Sequence, residues 1–174
     1  MIVRSKIKGV KIIINKCFFD NRGYFKELLK EKDLNKKFPF VVMSYSKKNV
    51  IRGMHLQTKN SQGKFVSVLK GKIFDVIIDL RKNSKTFGKK ITSILSEKNC
   101  KSIYVPPGFA HGFCGLSREN YVIYSCTKYR EIKHEVGIAF NDKDLKIKWP
   151  VKKPILSYKD KNNIDFDEFR KHIK

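Results

Sequence analysis

Two histidine segments hold side chains suited to moving protons: Arg52-Gly53-Met54-His55-Leu56-Gln57 and Pro106-Pro107-Gly108-Phe109-Ala110-His111-Gly112-Phe113. An imidazole beside polar groups in a cavity titrates in the working range of a general base. His55 and Gln57 share one face of a strand, because side chains alternate with a period of two. Arg52 falls on the opposite face unless the strand is bulged. A metal site built on His55 would want a second imidazole two residues on. That place holds Gln57, a poor ligand, and neither a Glu nor a second His stands at suitable spacing, so no metal is expected. His111 follows a rigid Pro-Pro-Gly turn and can serve as a second base or as a donor to phosphate. Lys64, after the Ser61-Gln62-Gly63 turn, can stabilise an oxyanion or enolate at a pocket rim. Tyr121 and Tyr124 are three apart and face opposite ways on a strand, so one of them can offer an inward phenol as general acid. Asp160 would orient an imidazole and stabilise its protonated form if it reached His55. Plainer readings compete for each: a hydrogen-bonded core histidine, a solvated lysine, sheet packing of aromatics, a surface carboxylate in a tail.

The elements that must position these residues are short strands. Apolar and β-branched runs lie at 10–14, 24–28, 40–45, 51–57, 64–69, 73–80, 90–95, 102–105, 112–116 and 121–127, separated by Gly, Asn and Pro turn signals. Lys70-Gly71 reads as a tight hairpin joining two of them. Helices are few: 31–37 is one candidate. Another is 165–172, which opens acidic and closes basic as the helix dipole prefers. Many short strands with such turns predict an all-β sandwich or closed barrel with a few short peripheral helices. The expected organisation is one domain over residues 1–174, with a barrel core at about 40–130 and a C-terminal tail at about 151–174 after Trp149-Pro150. Pro154 should keep that tail out of any central strand.

Composition narrows the function classes. Hydrophobic residues make up 41% of the 174, enough for a sizeable core and against whole-chain disorder. No apolar run approaches the roughly 20 residues that span a bilayer, and Met1 to Lys6 lacks the apolar core of a secretion signal. A cytoplasmic protein without membrane contact is expected. The four cysteines, Cys17, Cys100, Cys114 and Cys126, form no CxxC pair and fit no zinc module. Cys114 and Cys126 read as small core residues, and no disulfide framework is expected. The formal charge is +23, but only seven of the 39 basic residues are arginine and they are scattered. Arginine is the usual reader of phosphates and bases, so a nucleic-acid partner is not expected. A small anion would still gain from the field.

The histidine segments resemble the paired half-motifs of a cupin barrel. With further segments they resemble the dTDP-4-dehydrorhamnose 3,5-epimerase family. Those segments are Asp20-Asn21-Arg22-Gly23-Tyr24-Phe25, Gln62-Gly63-Lys64, Phe74-Asp75-Val76, Asp79-Leu80-Arg81, Ser84 to Gly88, Asn141-Asp142 and Trp149-Pro150. The resemblance runs from about Ile7 to Asp160, and the order and spacing of the segments carry it. It implies a metal-free, cofactor-free, cupin-type jelly roll that acts as a homodimer on a nucleotide-diphosphate 4-keto-6-deoxy sugar in a surface-sugar pathway. It further implies His55 as base with Asp160 as its dyad partner, Lys64 near the enolate oxygen and Tyr124 as acid. Arg22, Arg52, Gln57 and His111 would line the substrate pocket, and Tyr129 aligns with an aromatic that contacts the base. Two stretches differ from the family. Val41 to Ser46 lacks the Gln-x-Asn amides that many members carry there, and Arg130 stands near a second aromatic position. Both adjoin the substrate, so the nucleotide and the number of carbons inverted stay open. The alternatives are an epimerase acting on one carbon, a cupin keto-isomerase, a metal-dependent cupin enzyme and, from another class, a basic nucleic-acid-binding module.

Overall fold

The structure is a computed structural model describing residues 1–172. The chain runs β1 (Ile2–Arg4), β2 (Lys11–Ile14), β3 (Cys17–Asp20), β4 (Gly23–Lys26), α1 (Glu31–Leu34), β5 (Phe40–Lys47), β6 (Ile51–Gln57), β7 (Lys64–Lys70), β8 (Lys72–Asp79), β9 (Lys90–Ser96), β10 (Lys101–Val105), β11 (Phe109–Gly115) and β12 (Glu119–Cys126). A 3-10 turn at Ile132–His134, β13 (Glu135–Gly137), α2 (Tyr158–Lys161) and α3 (Phe166–His172) follow. Strands pair antiparallel into a six-stranded sheet, β1-β2-β10-β7-β12-β5, and a five-stranded sheet, β13-β6-β11-β8-β9. β3 and β4 form a separate two-stranded hairpin. The two large sheets face each other as a jelly roll, the all-β barrel class read from the sequence.

The barrel interior is closed by apolar residues from both sheets, among them Val66, Val68, Ile73, Ile77, Leu95, Ile103, Phe113 and Val122. A second core lies behind the five-stranded sheet. There Met54, Leu56, Val76 and Ile78 are covered by Ile138, Leu145, Phe166 and Phe169. β8 and β11 at the middle of that sheet are therefore covered on both faces, which is why they read as continuous apolar runs rather than alternating ones. The C-terminal segment binds the barrel through this second core and through isolated parallel bridges at Val50–Ile155 and Ile138–Ile164. It joins no central strand, as Pro154 requires.

Three expectations need correction. Lys70-Gly71 is a tight turn with Gly71 at φ +87°, but β7 and β8 belong to different sheets. The chain crosses from one wall to the other there, because each strand's apolar face is claimed by a different set of neighbours. The first helix ends at Leu34, since Asn35 takes the left-handed conformation and stops it short of Lys37. Cys17 and Cys100 are joined in a disulfide 83 residues apart. Tertiary pairing brings the β3–β4 hairpin against the β9–β10 turn, and no local spacing encodes that. Cys114 and Cys126 are buried and free, as read. Among the described residues no helix is long and apolar enough to cross a membrane.

Candidate active site

The inner faces of the two sheets part around a cavity of about 420 Å³. Three strands show how the chain builds it. Lys64, Val66 and Val68 share one face of β7; Cys126, Tyr124 and Val122 share one face of β12; Phe109, His111 and Phe113 share one face of β11. Val66, Val68, Val122 and Phe109 enter the interior core, while Lys64, Tyr124, Cys126 and His111 line the cavity. The alternation that makes the core thus delivers the polar groups to its open end.

β6 needs a further device. His111 pairs with His55, and Phe113 pairs with Arg52, so three steps of β6 face two of β11. This β-bulge cancels the parity difference, and Arg52 and His55 both line the cavity. Gly53 sits in the bulge at φ +122°, where a Cβ would lie 2.5 Å from the Gly112 Cα. Only glycine permits that backbone and that approach.

His55 Nε2 lies 2.6 Å from Asp160 Oδ1. Asp160 is 4% exposed and held at the first turn of α2, whose N-cap Ser157 accepts from its backbone N–H at 3.0 Å and donates to Oδ2 at 2.9 Å. Burial alone would raise the Asp160 pKa. The hydrogen bond and charge of His55, with the bonds from Ser157 and Asn163, outweigh burial and hold it below the usual carboxylate range. An ionised carboxylate only accepts, so the imidazole is the donor and Nδ1 is left to take a proton. Glu135 Oε1 lies 4.0 Å from Nδ1, and that carboxylate is also bound by Arg130 at 2.7 Å and Lys159 at 2.8 Å.

A second histidine–carboxylate pair lies beside the first. His111 Nε2 is 2.6 Å from Asp75 Oδ1, with both side chains buried. The His111 ring meets the Tyr124 ring edge-on at 6.1 Å. Tyr124 stands on the opposite wall from His55, its Oη 3.1 Å from Ser44 Oγ. Burial pushes its phenol above the ordinary range, and the Ser44 bond and Arg52 charge only partly offset this. Lys64, also on that wall, has its pKa lowered by burial, with Cys126 and Glu135 opposing the shift and Arg130 adding to it.

His55, Asp160, Lys64, Tyr124, Arg52, Gln57 and His111 are thereby brought to one cavity. Gln57 is held in place there: its Nε2 donates one proton to the Asn60 carbonyl at 2.8 Å and its Oε1 accepts from the Glu131 N–H at 2.8 Å, which leaves the second amide proton uncommitted. Tyr129 is 66% exposed and packs on Phe40 at 5.6 Å, and Arg130 rather than Tyr129 lines the cavity. Arg22 lies on the β3–β4 hairpin, bound to Asp20 at 2.7 Å with its side chain 86% exposed, and is not part of this chain's cavity wall. Sequence reasoning missed roles for Asp75, Glu135, Ser157 and Ser44. Asp75 carried a signal, an acid in the middle of the largely apolar 73–80 run; the other three depend on tertiary contacts. Among the described residues no three His, Cys, Asp or Glu side chains converge as a metal site would require.

A base backed by a buried carboxylate on one wall, with a phenol and a cation on the other, can remove a proton from one face of a carbon and return one to the opposite face. Fold and pocket together define a cupin-type barrel equipped for paired proton transfer. The chain belongs to the dTDP-4-dehydrorhamnose 3,5-epimerase family, whose sequence model matches residues 4–168. It is 40% identical to the dTDP-4-dehydrorhamnose 3,5-epimerase of Shigella flexneri, over 97% of this chain and 98% of that one. The crystal structure of the enzyme from Elizabethkingia anophelis superimposes with a TM-score of 0.89 at 40% identity, covering 97% of each chain. The Legionella pneumophila dTDP-6-deoxy-D-glucose-3,5-epimerase in complex with dTDP-4-keto-L-rhamnose gives 0.92 at 38% identity, over 96% of this chain and 93% of that one.

Proposed function

We propose that the protein is an isomerase that inverts C3 and C5 of dTDP-4-dehydro-6-deoxyglucose, giving dTDP-4-dehydrorhamnose. The observation that carries this reading is the His55–Asp160 pair at 2.6 Å on the wall facing Tyr124. The 4-ketone acidifies the hydrogens on C3 and C5. His55 Nδ1 takes one of them, and the C–H electron pair moves into the enolate, whose oxygen is met by the Lys64 ammonium. The phenol of Tyr124 then gives its proton to the opposite face of the carbon. Water returns a proton to Tyr124 and removes one from His55, so there is no net oxidation and no redox cofactor is called for. Arg52 and His111 hold the sugar and diphosphate, the arginine through paired donors.

The working unit of this reading is a homodimer. Arg22 belongs to the diphosphate site but projects from an exposed hairpin of its own chain, so a second copy supplies it to the pocket. The substrate carries a diphosphate that does not cross a membrane unaided, which supports a cytoplasmic enzyme.

Proton NMR of dTDP-4-dehydro-6-deoxyglucose in heavy water tests the reaction. Deuterium should enter at both C3 and C5, and His55→Asn should abolish both exchanges. Exchange at one carbon only would replace the reading with a single-carbon epimerase; none with this or related 4-keto sugar nucleotides would remove it.

A further inference from the structure

We propose that Ser44 is the positioning residue of Tyr124, and that its hydroxyl sets how often an enolate is inverted rather than returned to the starting sugar. This rests on the proton-transfer reading of the pocket.

Ser44 lies on β5, the edge strand of the six-stranded sheet, and lines the cavity. Tyr124 faces Val42 directly across the β5–β12 ladder, and Val122 faces Ser44. Val42 cannot hydrogen-bond a phenol. Ser44, two residues on along the same face, reaches the Tyr124 Oη diagonally at 3.1 Å. No other hydrogen bond to that hydroxyl is seen among the described residues, and the His111 ring packs edge-on against the tyrosine ring. The inner face of β5 then repeats the device. Ser46 accepts from Arg52 Nε at 2.9 Å, and Arg52 Nη2 donates to the Tyr45 carbonyl at 3.0 Å. One strand therefore aims both an acid and a substrate-binding cation.

The direction of the Ser44–Tyr124 bond follows from the chemistry. A phenol has one proton. If Tyr124 donated to Ser44, that proton would point away from the carbon. In the productive arrangement Ser44 donates, the phenol proton is free for the carbon, and the same serine hydroxyl stabilises the phenolate left behind. Burial works against that phenolate, so removing a donor is felt when the proton is delivered, not when it is abstracted.

The enolate has two fates. The His55 imidazolium, once exchanged with solvent, can return a deuteron to the original face, leaving labelled but uninverted substrate. Tyr124 can deliver to the other face, giving inverted product. The ratio of the two reports on the acid independently of the base. Ser44→Val and Ser44→Thr, both checked for an unchanged unfolding transition, would be incubated with dTDP-4-dehydro-6-deoxyglucose in heavy water and quenched early. NMR would then measure deuterium in recovered substrate and in product. Ser44→Thr, which keeps the hydroxyl, should keep the wild-type ratio. Ser44→Val, of similar shape without it, should raise labelled substrate over product by about tenfold, the size of one hydrogen bond to a charged group. A wild-type ratio in Ser44→Val, or exchange and inversion falling by the same factor, would overturn the role. Wild-type enzyme with no exchange at either carbon would instead overturn the reading of the pocket, and this role with it.

Discussion

Lys64 and Tyr124 share a wall, yet burial moves their proton affinities in opposite directions. Desolvation disfavours the ammonium and the phenolate alike, so it lowers the lysine and raises the tyrosine. In the proposed reaction Lys64 has to be charged to meet the enolate oxygen, and Tyr124 has to be protonated to act as acid. The lysine is therefore the first of the two to fail as pH rises, below the ordinary lysine range. We predict an alkaline limb in kcat/KM, which reports the free enzyme. Lys64→Arg should move that limb to higher pH, because guanidinium stays charged. Tyr124→Phe should be slow but keep the limb where it is. A limb that stays put in Lys64→Arg would show that another group sets it. His55 was legible from its place on a strand face, and Lys64 and His111 because turn residues set them at or near the openings of strands. That Asp160 reaches His55 was legible only through resemblance, since 105 residues separate the two. Gln57 reaches the cavity as its strand face requires, but its partners, Asn60 and Glu131, come from loops whose meeting no spacing encodes.

At the scale of elements, apolar and β-branched runs between turn signals located nearly all the strands of the barrel, because each commits at least one face to a core. It could not order them. Which wall a strand joins depends on crossovers such as Gly71, where a local turn signal looks the same for a hairpin and a change of sheet. The bulge in β6 was foreseen only as a condition on Arg52, and the approach of Gly112 to Gly53 decides it. β8 ends in a similarly tertiary device. Asp79, fully buried, accepts from Arg81 Nε at 2.8 Å, Ser84 Oγ at 2.6 Å and Thr86 Oγ1 at 2.6 Å, pinning the loop that leads into β9. Burial raises its pKa, but these donors outweigh burial and hold it far below the usual value. A depressed folded pKa gives stability that is present above the unfolded pKa and is lost as pH falls through the folded one. Asp79→Asn should therefore cost about 2 kcal/mol at neutral pH, leaving Arg81 without its charge partner. In urea titrations that gap should narrow as pH drops below about 4, the unfolded value. A gap constant down to pH 2 would mean that packing, not the charge, is what Asp79 supplies.

For the whole molecule, two elements carry a large share of the exposed apolar surface. Phe18, Phe19, Tyr24 and Phe25 are each at least 50% exposed on one two-stranded hairpin, and Val41 and Met43 are exposed on the edge strand β5. A chain with net charge +23 repels its own copies, so a dimer must be held by surface of this apolar kind rather than by general attraction. The same hairpin carries Arg22, and the disulfide from Cys17 anchors its base to the barrel at Cys100. A dimer that docks the hairpins would thus place a cation in a neighbouring pocket while covering the aromatics. Complementation separates this from a dimer with self-contained sites. Arg22→Ala and His55→Asn protomers should each be inactive as homodimers. After unfolding and refolding together, half the dimers are mixed, and each mixed dimer has one site with His55 from one chain and Arg22 from the other. Activity should recover to roughly a quarter of wild type if the sites are shared across the two-fold. If each site were built from one chain, every site in the mixture would still lack one residue, and mixing would restore nothing.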